Sequence, residues 1–223
     1  MGEADALELR SGSVAADVCE EFPELTLVFA EVAVGSGRTP EEVKLQLRLL
    51  SDRFRGAQAI AMRQDAVPQA YRVFYRQVGL DPDAERTPVE ATAVKRLLDG
   101  AFRSRNLLDD ALTIALVETG VPIWAFDADA VDGDLSIRLA APGERLGRQE
   151  QAPPLPSGRM VVADERSPLA VLFGELAPGH GVTDRTRRMV LFSLQVAGVP
   201  AIHVEEALWA CATVLDAGEL RTS

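Results

Sequence analysis

A chain of 223 residues, 47% hydrophobic and 26% charged, carries enough apolar material for one substantial core and excludes global disorder. Its formal net charge of −11, with Lys44 and Lys95 as its lysines, argues against a general nucleic-acid binder, because such proteins neutralise phosphates with basic side chains. The chain lacks a long uncharged apolar run, its acidic start MGEADALELR is unlike a signal peptide, and Cys19 and Cys211 are too few for a disulfide framework, so a cytoplasmic protein with two buried thiols and no membrane contact is expected.

After a mixed lead-in, LTLVFAEVAV (25–34) predicts a buried strand, and GSGRTP a turn. Thr39, Pro40 and Glu42 form a helix-start signal, with Leu45 and Leu49, joined by Val43 and Leu50, as the apolar face. Tyr71, Phe74, Tyr75 and Val78 recur at helical spacing until Gly79. Thr87, Pro88 and Glu90 repeat the start signal, with Val94, Leu97 and Leu98 on one side and Gly100 as the stop. Asn106 caps the next helix with Asp109 reaching back, Leu112, Ala115 and Leu116 face inward, and Gly120 and Pro122 end it.

From there the texture changes. VPIWAFD, LSIRLA, RMVVADE, LAVLFGE and RMVLFSLQ are short apolar runs split by Gly, Pro and Asp, which are sheet signals. GRQEQAPPLPSGR (147–159) predicts a surface loop between strands of one continuous sheet, and HVEEALWACATVLDA (203–217) a last helix. The order indicates an α+β fold, in one domain over 1–223.

Motif searches exclude several chemistries. There is no GxxxxGK[ST] phosphate loop, HExxH helix or GxSxG elbow, and no Cys/His spacing suited to zinc, so neither metal nor cofactor is expected. GSG at 35–37 reads as a turn and not as a dinucleotide signature.

The stretches YRVFYRQVGLDPDAERTPVEA, LLDD, ETGVPIWAFDAD, GDLSIRLA, GERL, VVADERSPLAVLFG and VTDRTRRMVLF, in this order over 71–192, resemble the B3/B4 domain of the phenylalanyl-tRNA synthetase β subunit, and more closely its free-standing relatives. On that likeness 1–70 is an N-terminal strand–helix extension. The resemblance implies an α+β domain with a central mixed β-sheet flanked by helices, holding a pocket that, in the synthetase, hydrolyses tyrosine wrongly attached to the phenylalanine tRNA. It also marks two departures. An asparagine common in the family is replaced by Leu112, and the glutamate that helps recognise the tyrosine hydroxyl is replaced by Phe192. A site built to bond a hydroxyl loses discrimination without its polar partner.

The candidate site is GELAPGHGVTDRT (174–186), which reads either as a ligand loop or as a plain strand-connecting loop with an exposed histidine. Gly174, Gly179 and Gly181 let backbone amides approach a ligand, His180 is the candidate base, Thr183 and Thr186 supply hydroxyls, and Glu175 suits an ammonium. Asp127 at the end of its strand either binds an amine or caps the following turn, the turn being favoured. Arg138 either meets a ligand anion or is a solvated strand arginine. Glu144 and Asp164 read as loop and turn acids, and His203 as a helix-start residue. Arg96, Arg103 and Arg105 form one basic cluster, where free amides at a helix start would help hold a phosphate. Arg185, Arg187 and Arg188 form another. Three readings of function stay open: recognition of aminoacyl-tRNA or its amino-acid end, with ester hydrolysis in trans as its enzymatic form; non-catalytic binding of an amino-acid-like small molecule; or a structural or interaction module. DNA is not an expected partner, and the oligomeric state is unassigned.

Overall fold

The computed structural model describes residues 7–35, 37–149 and 152–219. Ser36 of the GSG turn and Glu150 and Gln151 of the proline tract lie outside the described residues. In chain order the elements are β1 (Arg10–Val14), α1 (Ala16–Glu21), β2 (Thr26–Val32), α2 (Glu41–Arg53), α3 (Ala57–Ala61), α4 (Ala66–Gln77), α5 (Pro88–Asp99), α6 (Leu107–Thr119), β3 (Ile123–Asp127), β4 (Ser136–Leu139), β5 (Met160–Ala163), β6 (Pro168–Val171), β7 (Met189–Gln195) and α7 (Ala201–Glu219).

The strands form one seven-stranded sheet in the order β3-β7-β2-β1-β4-β5-β6. β1 and β4 run parallel and the other neighbours antiparallel, so the sheet is mixed and the fold is α+β. The proline tract joins β4 to β5, which pair directly within that sheet. β1 and β2 lie in its middle, so residues before the family-like stretch supply central strands. β1 is polar and thinly buried, and its backbone bonds to neighbours on both sides hold it. Gly12 is required there, because a Cβ would lie 2.5 Å from the Leu135 carbonyl oxygen and 2.7 Å from a Leu27 methyl.

β7 is buried along almost its whole length and separates two packing layers. α7 covers β7 and β2, with α6 along α7, and α2 packs on α6. On β7, Val190, Phe192 and Leu194 share one face by strand alternation. The Tyr71 hydroxyl of α4 donates to the Leu194 carbonyl at 2.6 Å.

The helix starts and stops read from α5 and α6 follow local chemistry, and the start read at Thr39 does not. Thr87 and Glu90 form a reciprocal capping box with Pro88 in the first turn. Asn106 accepts from the Asp109 amide at 2.8 Å, and Gly100 and Gly120 end their helices at φ of 75°. α2 begins at Glu41 without a side-chain cap, and the Thr39 hydroxyl donates instead to the buried carboxylate of Asp110 at 2.6 Å.

Two expected helix faces are rotated. In α2 the buried residues are Val43, Leu47 and Leu50, while Leu45 and Leu49 are exposed. In α5 Leu97 and Leu98 point outward, at 41% and 81% exposure, and Arg96 points inward at 7%. Apolar residues surround both helices, so sequence period alone did not select the face. Cys211 is buried as expected, but Cys19 is exposed, because α1 is one short turn that buries only Val18.

Candidate functional site

The glycine-bearing connector and the end of β3 do meet. The Asp127 amide donates to the His180 carbonyl at 2.9 Å, and the Thr186 hydroxyl donates to Asp127 Oδ2 at 2.5 Å. Asp127 Oδ1 also accepts from the Asp129 amide at 3.1 Å, which is the turn cap that strand ends favour.

These bonds draw the connector onto the strand end. The amides of Gly174, Ala177, His180, Thr183, Arg185 and Thr186 all donate within the fold. His180 is 5% exposed. Its Nδ1 lies 3.2 Å from the Pro178 carbonyl, and its Nε2 is enclosed without a partner among the described residues. The exposed histidine considered for this loop is therefore a buried one. Gly147 packs against it, since a Cβ there would lie 2.9 Å from Ala177 Cβ and 3.7 Å from the His180 ring. Glu175 and Gly179 face solvent, and the Glu175 carbonyl accepts from the Val171 amide.

Between the start of the connector and the sheet, aromatic rings fill the space. Phe192 stacks between Trp124 and Phe126, at centroid distances of 5.7 and 4.6 Å. Phe173 reaches Trp124, Phe74 and Tyr75 at 5.6, 5.8 and 4.3 Å. Phe173 holds this place at φ of 56°, a left-handed conformation that a bulky side chain adopts only under packing constraint. The void left here, with Gly174 at its rim, is about 10 Å³.

A larger cleft, of about 280 Å³, opens near the first residues of β3. α5 contributes Thr92, Lys95 and Arg96, and the α5–α6 connection contributes Arg103 and Arg105. α6 contributes Asp109, Leu112 and Thr113, and β3 contributes Ile123 and Trp124. The cationic wall is thus that of α5 and the connection after it, the apolar one that of α6 and β3, and Asp109 and Asp110 add two carboxylates to the lining. The volume suits one amino-acid-sized group.

The first basic cluster therefore lines the cleft, which the spacing of the three arginines did not show. The helix-start amides expected to assist it are occupied, since Leu107 donates to Gly37 and Asp109 to Asn106. Asp110 acts as a buried tie below the cleft. It accepts from the hydroxyls of Thr39 and Ser104, each at 2.6 Å, and from the Arg105 amide at 2.9 Å. Leu112, at the family's asparagine position, is half-buried on the cleft wall.

The second cluster lies at the opposite end of β3. Arg185, Arg187 and Arg188 are exposed; Arg187 bonds the carbonyls of Asp184 and Thr186, and Arg188 pairs with Glu31 and Asp129. A Cβ on Gly35 would lie 3.8 Å from the Arg187 guanidinium, and the Gly37 carbonyl accepts from the Leu107 amide, so Gly35 lies by the second cluster and Gly37 by the start of α6.

Arg138 forms a two-bond pair with Glu144, at 2.8 and 2.6 Å. Beside it, residues 143–145, 147–149 and 166–168 line an open dish of about 330 Å³. Its Arg148 pairs with Asp132 and Asp164, and its Arg166 with Asp132. Burial alone would raise the Asp164 carboxyl, but amide donations from Asp132, Arg166 and Ser167, with Arg148, hold it below the usual range. His203 lies in the first turn of α7, beside Glu206. Among the described residues no His, Cys, Asp and Glu group of metal-holding size occurs, and no helix is long and apolar enough to cross a membrane.

The family model of the B3/4 domain matches residues 70–205. The chain is 38% identical over 98 residues to the phenylalanine–tRNA ligase β subunit of Psychrobacter arcticus, an overlap of 44% of this chain and 12% of that subunit. It is 34% identical over 108 residues to the subunit of Idiomarina loihiensis, covering 48% and 13% of the two chains. It is also 34% identical over 141 residues to that of Xanthomonas oryzae pv. oryzae, covering 60% and 17%. The chain spans less than a fifth of the length of these relatives.

Proposed function

Because the chain belongs to the B3/4 domain family, we propose that it recognises the amino-acid-bearing end of a charged tRNA, in the cleft between α5, α6 and β3. The observation that carries this reading is the division of the 280 Å³ cleft into a cationic wall, from Lys95, Arg96, Arg103 and Arg105, and an apolar wall, from Leu112, Ile123 and Trp124. The first suits a phosphate or ribose end, the second an amino-acid side chain. The relatives are subunits of a ligase for phenylalanine and tRNA, which supports the same ligand class.

The reading is recognition, and hydrolysis in the manner of the synthetase is not part of it. Phe192 contributes a ring where the family's editing domain has a carboxylate, so nothing polar there reads a tyrosine hydroxyl. His180, Thr183 and Thr186, the candidate catalytic set, sit at the far end of β3, with His180 enclosed. A trans-editing role would require that connector to open.

The net charge of −11 favours a second reading, in which a free amino-acid-like molecule occupies the cleft without RNA. Equilibrium binding of aminoacylated and deacylated tRNA separates the two. The first reading expects the charged form to bind more tightly and Thr113→Phe, which fills the cleft, to remove the difference. Equal binding of both forms, unaffected by Thr113→Phe, would overturn it. Binding of a free amino acid that is lost in Thr113→Phe, without tRNA binding, would establish the second.

A further inference from the structure

The inward face of α5 carries a cation with no counter-charge. Arg96 is 7% exposed. Its Nη2 donates to the Ser51 carbonyl near the end of α2, at 2.8 Å, and its guanidinium stands 5.8 Å from the Phe102 ring. Nε is enclosed and has no partner among the described residues. No carboxylate among the described residues pairs with it within 4.0 Å.

A buried cation is ordinarily paired, because desolvating an isolated charge costs more than packing returns. Arg72 in α4 shows the usual arrangement, with Glu90 and Asp83 on its two terminal nitrogens. Ser51 and Phe102 give Arg96 partial compensation only. Arg96 also lines the 280 Å³ cleft.

The other charges of the cleft reinforce this. Arg103 bonds the Asp99 carbonyl at 3.2 Å, and neither the Arg103 nor the Arg105 guanidinium is ion-paired with a carboxylate among the described residues. Lys95 reaches Asp99 at 3.7 Å. The two carboxylates of the cleft are occupied: Asp110 by two hydroxyls and an amide, and Asp109 by the Asn106 side-chain amide at 3.1 Å. A locally cationic, sheltered cleft thus exists in a chain of net charge −11.

We propose that this cleft is a phosphate site, with Arg96 as its buried donor and Arg103 and Arg105 closing over the anion at the mouth. A guanidinium presents paired N–H donors that match two phosphate oxygens. The surrounding acidity means that recognition is local, since long-range attraction of anions is weak. The inference rests on the cleft being the binding site proposed above. It does not need RNA, because a free phosphorylated metabolite and a nucleic-acid backbone offer the same group.

The test is an amide NMR titration of the full chain with inorganic phosphate, adenosine 5′-monophosphate and a short oligonucleotide of a tRNA 3′ end. Saturable shifts confined to residues 92–113 and Trp124 are expected. Affinity falls at least tenfold in the Arg103→Ala/Arg105→Ala double variant, whose changes are at exposed positions, and in Arg96→Gln. If Arg96→Gln does not fold, the double variant and Arg96→Lys decide. Tighter binding of the oligonucleotide assigns the phosphate to RNA, and equal binding to AMP assigns it to a small molecule; both outcomes support the site. No saturable shift with any probe, or unchanged affinity in the double variant, overturns it. Arginine-dependent phosphate binding without any preference for charged tRNA would remove the proposed tRNA function and leave this site standing.

Discussion

The ring of Phe192 lies nearly parallel to that of Phe126, with centroids 4.6 Å apart and planes 14° from parallel. Trp124 stacks on the other side of Phe192. The position where relatives of the editing type carry a recognising carboxylate is thus an aromatic packing position. Phe192→Ala should cost about 3–5 kcal/mol, read as a shift of the urea midpoint. Phe192→Glu should cost at least as much, since it places a charge against the rings of Trp124 and Phe126. A well-folded Phe192→Glu variant with unchanged midpoint would show that the stack is dispensable.

Asp110 ties three elements together through Thr39, Ser104 and the Arg105 amide. Asp110→Ala leaves those donors unpaired and should cost about 3 kcal/mol, while Thr39→Val, which removes one bond, should cost about 1 kcal/mol. The double variant should cost less than the sum, because the partners are shared. Urea unfolding of the three variants checks this, and strict additivity would refute the tie.

Acid stability depends on two carboxylates held below their ordinary range. The Arg138 hydrogen bond lowers Glu144, against the opposing effect of burial. For Asp164, burial is outweighed by three amides and Arg148. A carboxyl lowered by folding contributes stability that is complete above its unfolded value and is lost as pH falls through the folded one. Urea midpoints should therefore hold from pH 7 to pH 5 and fall below about pH 4. Asp164→Asn and Glu144→Gln should each flatten that fall, and a fall as steep as in the parent would rule out both groups.

The two thiols should separate cleanly by reactivity. Cys19 is exposed, whereas burial pushes the Cys211 thiol up to about 12. A thiolate-directed reagent at pH 8 should modify Cys19 in the native chain and reach Cys211 only on unfolding. Native modification of Cys211 at a comparable rate would contradict its position inside α7.

The strands from β2 onward were legible because β-branched runs are broken by Gly, Pro and Asp. α5 and α6 were legible because caps and glycine stops are local chemistry. β1 was not: RSGSV has no apolar alternation, and its place comes from hydrogen bonds to two partners distant in sequence. The connector at 174–186 read as a ligand loop because its glycines permit amide approach, but the amides of Gly174, Ala177, His180, Thr183, Arg185 and Thr186 serve neighbours in the fold. The cleft was missed because its walls come from separate elements. Arg96 was visible as part of a basic cluster, and only the rotation of α5 shows that it is buried.

The placement of β1 and β2 governs how this chain can be dissected. The family match starts at residue 70, yet these two strands join β7 on one side to β4 on the other. Excising the matched region would cut the sheet into a two-stranded and a three-stranded piece, each with a raw hydrogen-bonding margin that invites self-association. The first seventy residues are the keystone, and fragments lacking them should be recovered as aggregates.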